Sequence, residues 1–131
     1  MSDASHIAAS GLRAQTVRLA GVAQNMANLR SEGRPGAEPG GVPAAYRPVE
    51  TVQTPQQGGG VKASLRPQPD GTRLRFAPGS PLANDEGLVA TPNVSLEQQA
   101  AERIQAEAAY QANVKVIEAQ EDLDDSLSEL A

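Results

Sequence analysis

Apolar residues recur with helical spacing only at the two ends of the chain. Near the start, Ala8, Leu12, Gln15, Leu19, Val22, Met26 and Leu29 follow one another at alternating steps of four and three, the seam of a helix that packs on another helix. Beside that seam runs a stripe of mostly small residues, Ile7, Gly11, Ala14, Gly21, Asn25 and Asn28. Small side chains let a second helix approach closely, at the expense of helix propensity. The spacing predicts a helix over 4–30, about 40 Å long at 1.5 Å per residue, stopped by Gly33 and Pro35.

A second helix is predicted over 95–131, on the order of 50 Å long. Pro92 precedes it, and Ser95-Leu96-Glu97-Gln98 fits a capping box: the Ser95 hydroxyl accepts from the Gln98 amide and the Gln98 side chain reaches back. One apolar stripe runs through Leu96, Ala100, Ile104, Ala108, Ala112, Val116, Ala119, Leu123, Leu127 and Leu130. A second, Tyr110, Val114 and Ile117, lies roughly opposite the first. A helix apolar on two sides needs cover on both; the N-terminal helix supplies one cover, and the other asks for a partner chain.

All ten prolines and ten of the twelve glycines fall between Ser31 and Val94, which keeps long helices out of that stretch. Tyr46 to Val52 is β-prone, with Pro48 restricting it to a sheet edge. Val61–Leu65 and Thr72–Phe76 alternate apolar and polar around the turn signal Pro69-Asp70-Gly71, so a β-hairpin is predicted over 61–76. Gly33–Pro43 and Thr54–Gly60 read as flexible loops. A lone hairpin is marginal in water and has to lean on the helices or on neighbouring subunits. The predicted fold is mainly α: two long terminal helices packed as an antiparallel coiled-coil-like pair, with a small irregular middle segment containing a β-hairpin. The chain divides at 1–30, 31–94 and 95–131.

Composition narrows the chemistry. Aromatic residues are 2% of the 131 residues, leaving little apolar area to offset the entropy of ordering. With no cysteine and a single histidine, His6, thiol chemistry, Cys/His metal centres and histidine acid–base catalysis are almost excluded, and no cofactor or metal is expected. A net charge of −5 with three scattered aromatics argues against nucleic acid as a partner. No stretch approaches the roughly 18 apolar residues of a membrane span, and the start lacks a charged then apolar leader. No membrane insertion and no cleaved signal are therefore expected. The three segments carry +2, 0 and −7, so the end helices are electrostatically suited to lie together, although exposed ion pairs contribute little individually.

Short motifs give no catalytic reading. Gly58-Gly59-Gly60 is followed by neither a lysine-serine pair nor a helix start and reads as a turn, not a phosphate loop. Glu121, Asp122, Asp124 and Asp125 point in different directions on one helix and lack calcium-loop spacing, so they read as a solvated acidic face. Ser10 and Ser80 have no base at a suggestive position, and no enzyme is expected. Asn25, Asn28 and Asn113 are mediocre helix formers with two readings: simple exposure, or interhelical hydrogen bonds that fix register. Tyr110 is either a core filler or an intersubunit contact.

The N-terminal run Ser10-Gly11-Leu12-Arg13-Ala14-Gln15, continued by Ala23-Gln24-Asn25-Met26-Ala27-Asn28, resembles the signature of bacterial flagellar rod, hook and related axial proteins, with every fixed letter of its A-x-N-x-A-N core. Pro78 to Val89, Pro92-Asn93-Val94 and Ala109-Tyr110-Gln111-Ala112-Asn113-Val114 are similar to the proximal-rod members of that family, and the likeness spans nearly the whole chain. Arg30-Ser31-Glu32-Gly33 and Leu88 depart from the pattern, which usually has a threonine-containing ending and an aromatic at these places. The resemblance implies a structural subunit of the basal-body rod that crosses the periplasm. It implies copies of itself and other rod and axial proteins as partners, and passage through the flagellar type III export apparatus. Assembly would then fall to Leu12, Leu19, Val22, Asn25, Met26, Asn28 and Leu29 on the first helix. On the second it would fall to Ile104, Tyr110, Ala112, Asn113, Val116, Ile117, Leu123, Leu127 and Leu130. The competing reading is a divergent relative acting as a soluble helical adaptor or export-related factor.

Overall fold

The computed structural model describes residues 2–38, 41 and 43–131. Helix α1 runs Asp3–Ala27 and helix α2 Leu96–Leu130. The Ser2 hydroxyl caps α1 by accepting from the Ser5 amide (3.2 Å). The helix ends at Ala27, before Gly33 is reached, because the chain tightens: the Asn28 amide still bonds the Gln24 carbonyl, but Leu29 bonds Met26 and Ser31 bonds Asn28. Ser95 caps α2 by accepting from the Gln98 amide (3.3 Å). The reciprocal half of the box is replaced, since the Ser95 hydroxyl also meets the Glu97 carboxylate (3.1 Å).

The helices are antiparallel: Gly11 faces Asn113, Arg18 faces Glu102 and Asn25 faces Gln99. A Cβ on Gly11 would lie 2.7 Å from the Asn113 amide, so with a larger residue there the Asn113 side chain would have to turn aside. With 25 residues in α1 and 35 in α2, this register carries α2 past the start of α1 by its last turns, about 121–130.

Between the helices lie two antiparallel hairpins. Strand β1 (Val49–Pro55) pairs with β2 (Val61–Pro67), and β3 (Thr72–Phe76) with β4 (Leu88–Pro92). This corrects the hairpin predicted over 61–76. The turn that captures β2 is upstream, at Gln56–Gly60, where Gly58, Gly59 and Gly60 all take positive φ (89°, 97° and 87°), a run only glycine adopts without strain. Thr54 and Pro55 thus belong to a strand and not to a loop. Pro69-Asp70-Gly71 turns the chain between the two sheets, with the Gly71 carbonyl accepting from Asn93 (2.8 Å). Residues 77–87 form the long β3–β4 connection. Of the loop expected over Gly33–Pro43, Pro39, Gly40 and Val42 lie outside the described residues; Gly33 exchanges both backbone hydrogen bonds with Ala90 on the free side of β4 (2.9 Å each).

The β1–β2 ribbon lies along α1. Gly21 of α1 meets Leu65, Val49 and Thr51. At one end the Ser10 hydroxyl accepts from the Val61 amide (3.1 Å); at the other Asn25 binds Val49. Fifteen residue steps of helix from Ser10 to Asn25 span about 22 Å, and the six steps of strand from Val49 to Pro55 about 20 Å, so helix and ribbon are close in length. The buried apolar side chains are small: Ala8, Ala14, Val22, Val89, Ala90, Val94 and Ala106.

Candidate assembly surface

Asn25 is the most fully engaged polar group of the helix pair. It is 2% exposed, and its carboxamide makes four hydrogen bonds. Nδ2 donates to the Val49 carbonyl (2.9 Å) and to Gln99 Oε1 across the helix pair (3.2 Å); Oδ1 accepts from the Val49 amide (2.9 Å) and from the Tyr46 hydroxyl (2.9 Å). Binding both the N–H and the C=O of Val49, the side chain stands in for a neighbouring strand at the outer edge of β1, and the same group ties that strand to α2. Every polar atom of a buried amide is thereby satisfied. Asn28 and Asn113 instead donate to carbonyls of their own helices, Gln24 and Ala109 (2.9 Å each).

Burial pushes the Tyr46 hydroxyl above its ordinary range, because the phenolate would lose hydration beside Asn25. A raised folded value means that the contribution of Tyr46 is fully present below the unfolded pKa and is lost as pH climbs through the folded one. In a Tyr110→Phe variant Tyr46 is the sole tyrosine. Its absorbance near 295 nm should then titrate at higher pH in the folded chain than in urea; coincident curves would refute the buried hydrogen bond.

The side of α2 that meets α1 is neither of the apolar stripes. Gln99 and Ala106 are its buried residues, and Glu102, Ala109 and Asn113 continue that side at steps of three and four. Arg18 locks it by donating to Glu102 (2.7 Å) and Gln105 (3.0 Å). This small, polar spacing was the available signal, complementary to Gly11, Ala14 and Gly21 on α1, and the search for large apolar residues passes over it. A polar trough of about 500 Å³ lies between α1, β1 and the start of α2, lined by Arg18, Gly21, Asn25, Thr51, Gln98 and Glu102 among others. Its charged groups are already paired, Arg18 with Glu102 and Glu50 with Arg66.

Among the sequence-chosen residues, Val22 and Asn25 are buried, and Leu12, Leu19, Met26, Asn28, Leu29, Asn113 and Ile117 are half-buried. Ile104, Tyr110, Ala112, Val116, Leu123, Leu127 and Leu130 are exposed. The long α2 stripe turns away from α1 because each step of four drifts it by about 40° around a helix of 3.6 residues per turn. From Ala112 onward the steps of three correct the drift. The result is one coherent exposed face, Ala112, Val116, Ala119, Leu123, Leu127 and Leu130, opposite Tyr110 and Val114.

A family model described as the flagellar basal body rod FlgEFG protein C-terminal region matches residues 85–130. The flagellar basal-body rod protein FlgC of Yersinia enterocolitica is 40% identical over 117 residues, covering 85% of this chain and 83% of the relative. The protein of that name from Agrobacterium fabrum is 34% identical over 132 residues, covering 94% and 89%. That of Aquifex aeolicus is 31% identical over 113 residues, covering 86% and 84%.

Proposed function

The chain belongs to the FlgC family of flagellar basal-body rod proteins and is a structural component rather than an enzyme; on that premise we propose that its terminal helices polymerise it with copies of itself and related axial subunits into the periplasm-spanning rod, which transmits torque. What supports this reading is the apolar face left bare along α2. Leu123, Leu127 and Leu130 are 58%, 64% and 85% exposed on the last turns of α2, which run past the start of α1. Isolated apolar residues on a surface are ordinary, whereas a continuous stripe along two and more helical turns marks a contact surface. The subunit reaches its place through the flagellar type III export apparatus as an unfolded chain. A core of alanines and valines, with little apolar area per residue, suits a protein that must be unfolded and refolded.

Burying a valine or leucine side chain contributes roughly 1.5–3 kcal/mol, and a carboxylate in its place must be desolvated. Val116→Glu and Leu19→Glu should therefore abolish motility. Val116 is 44% exposed in the single chain, so its variant should keep the helix content of the parent by circular dichroism while failing to assemble. Normal swimming in both variants would sink the assignment. Mass spectrometry of detergent-extracted basal bodies tests the location: peptides of this chain should appear in amounts comparable to other rod proteins, and their absence from flagellated cells would favour the adaptor reading.

A further inference from the structure

The polar trough beside Asn25 has the build of a slot for one more strand, and we propose that it binds a single extended peptide segment of another protein, paired main chain to main chain with the outer edge of β1. The ladder decides which groups face the trough. Antiparallel strands alternate between residues bonded to each other and residues whose N–H and C=O point outward. Gln68 donates to Pro48 and Gln56 to Gly60. With Glu50 opposite Arg66 and Val52 opposite Ser64, the even positions of β1 therefore bond β2, and Val49, Thr51 and Gln53 point outward. Val49 is taken, because Asn25 binds both of its main-chain groups (2.9 Å each). Thr51 and Gln53, the next two rungs on the same edge, line the trough and meet no partner among the described residues.

The walls restrict what fits. Arg18, Gly21 and Val22 of α1 form the floor, β1 is one wall, and Gln98 and Glu102 at the start of α2 are the other. No Cα of β1 comes within 8 Å of a Cα of α2, whereas paired strands lie about 4.8 Å apart, so β1 has room for a neighbour. At its closed end this room is one amide wide: Asn25 Nδ2 touches the Val49 carbonyl on one side and Gln99 Oε1 on the other (2.9 and 3.2 Å). The fold thus already seats one amide in the slot, and the open rungs that follow it are spaced at the strand repeat of about 6.8 Å. A saccharide or a small anion has no such repeat, and the charges around the trough are already paired. Thr51 turns its side chain towards Gly21, so the residue opposite it points to the same floor and is small. The residue opposite Gln53 lies nearer Arg18 and is polar.

A second copy of this chain does not supply the segment. Its strands, among the described residues, all sit in hairpins, and a hairpin inserted here would drive its second strand into α2. Residues 29–34 are held by turn bonds and by the bridge from Gly33 to Ala90, and 35–48 are broken by Pro35, Pro39, Pro43 and Pro48. In 77–87 most amides are spent in turns or lost to Pro78 and Pro81. The occupant is a lone strand of a different protein.

A photo-cross-linking amino acid placed in the full chain at Gln53 or at Gln98, on opposite walls, samples the occupant in living cells. Both probes should attach to one short segment of the same protein, distinct from this chain, as read by mass spectrometry of the cross-linked peptides. Thr51→Pro and, separately, Gln53→Pro each delete one outward N–H while leaving the bonds to β2 intact. Each should lower the adduct yield at Gln98 severalfold, the loss of one main-chain hydrogen bond, with the parental circular dichroism at 222 nm retained. Ala63→Pro deletes an outward N–H on the opposite edge of the ribbon and should leave the yield unchanged. Convergence of the two probes is scored on the parent chain and needs none of these variants to fold. No adduct, adducts to two unrelated segments, a saccharide adduct, or one whose mass is a multiple of this chain would overturn the proposal. So would a yield indifferent to both edge prolines in folded variants. None of these outcomes bears on the rod reading, which the basal-body measurement decides.

Discussion

Asn25→Ala is expected to cost about 3 kcal/mol or more of folding free energy, enough to leave a protein of ordinary marginal stability largely unfolded at growth temperature. The substitution removes the partner of the Val49 amide and carbonyl, the Tyr46 hydroxyl and the Gln99 amide oxygen, part-buried groups for the first three and a buried one for Gln99. Each buried polar group left unsatisfied costs about 1–3 kcal/mol, and the terms do not simply add because the site relaxes. Three elements would loosen together, since one carboxamide ties α1 to β1 and to α2. Asn28→Ala, three residues on in the same motif, should cost under about 1 kcal/mol, because it removes a single exposed bond to Gln24. Urea melts of the two variants, followed by circular dichroism at 222 nm, make the comparison. Equal costs would mean that the clamp on Val49 contributes nothing.

Gly33→Ala should be as damaging for a different reason. A Cβ at this position would stand 2.0 Å from the Ala45 nitrogen and 2.5 Å from the Ala44 carbonyl carbon. Both are backbone atoms, which no rotamer change can clear. Either the Ala44–Ala45 segment or the two hydrogen bonds between Gly33 and Ala90 must yield. Overpacking of this kind costs about 1–3 kcal/mol and more where backbone has to move. Release of Gly33 would disturb β4, which holds the fully buried Val89. Hydrogen exchange at the Ala90 amide should accelerate strongly in Gly33→Ala and stay at the parental rate in Gly79→Ala, where a Cβ meets open space. Unchanged protection of Ala90 in Gly33→Ala would show that the segment accommodates a methyl group after all.

The two helices were legible because their signals are local: the seam periodicity, the Ser95 cap and the confinement of proline to the middle of the chain all act within a few residues of where they are read. Pairing of the strands was not, because the information lies elsewhere. Val61–Leu65 and Thr72–Phe76 have the alternation of a hairpin and a good turn between them, yet three glycines at positive φ draw β2 back onto β1, and Gly33 holds β4 in place for β3. The turn at Pro69-Asp70-Gly71 is real but joins two sheets. The face between the helices was half legible. The small stripe on α1 pointed to close approach, whereas its counterpart on α2 is polar and short-chained and gives no hydrophobic signal. Asn25 was visible as an oddity inside a helix, but the three partners it has besides Gln99, namely both main-chain groups of Val49 and the Tyr46 hydroxyl, come from a segment more than 20 residues away that periodicity cannot connect to it.

The match in length between α1 and the ribbon limits where this chain can grow. Ser10 and Asn25 grip the two ends of a two-stranded ribbon whose span is close to that of the helix between them. Two residues added to β1 and β2 would carry one end beyond its grip by about 7 Å, and two removed would leave it short. Duplication or slippage in the gene segment for 49–67 is therefore penalised in both directions. The tip of the 77–87 connection has no such gauge: Gly79 faces open space, and residues added beside it extend into solvent. Additions that evolution retains, or a reporter peptide placed by hand, belong at that tip, where the subunit can lengthen outward while its helices keep their register.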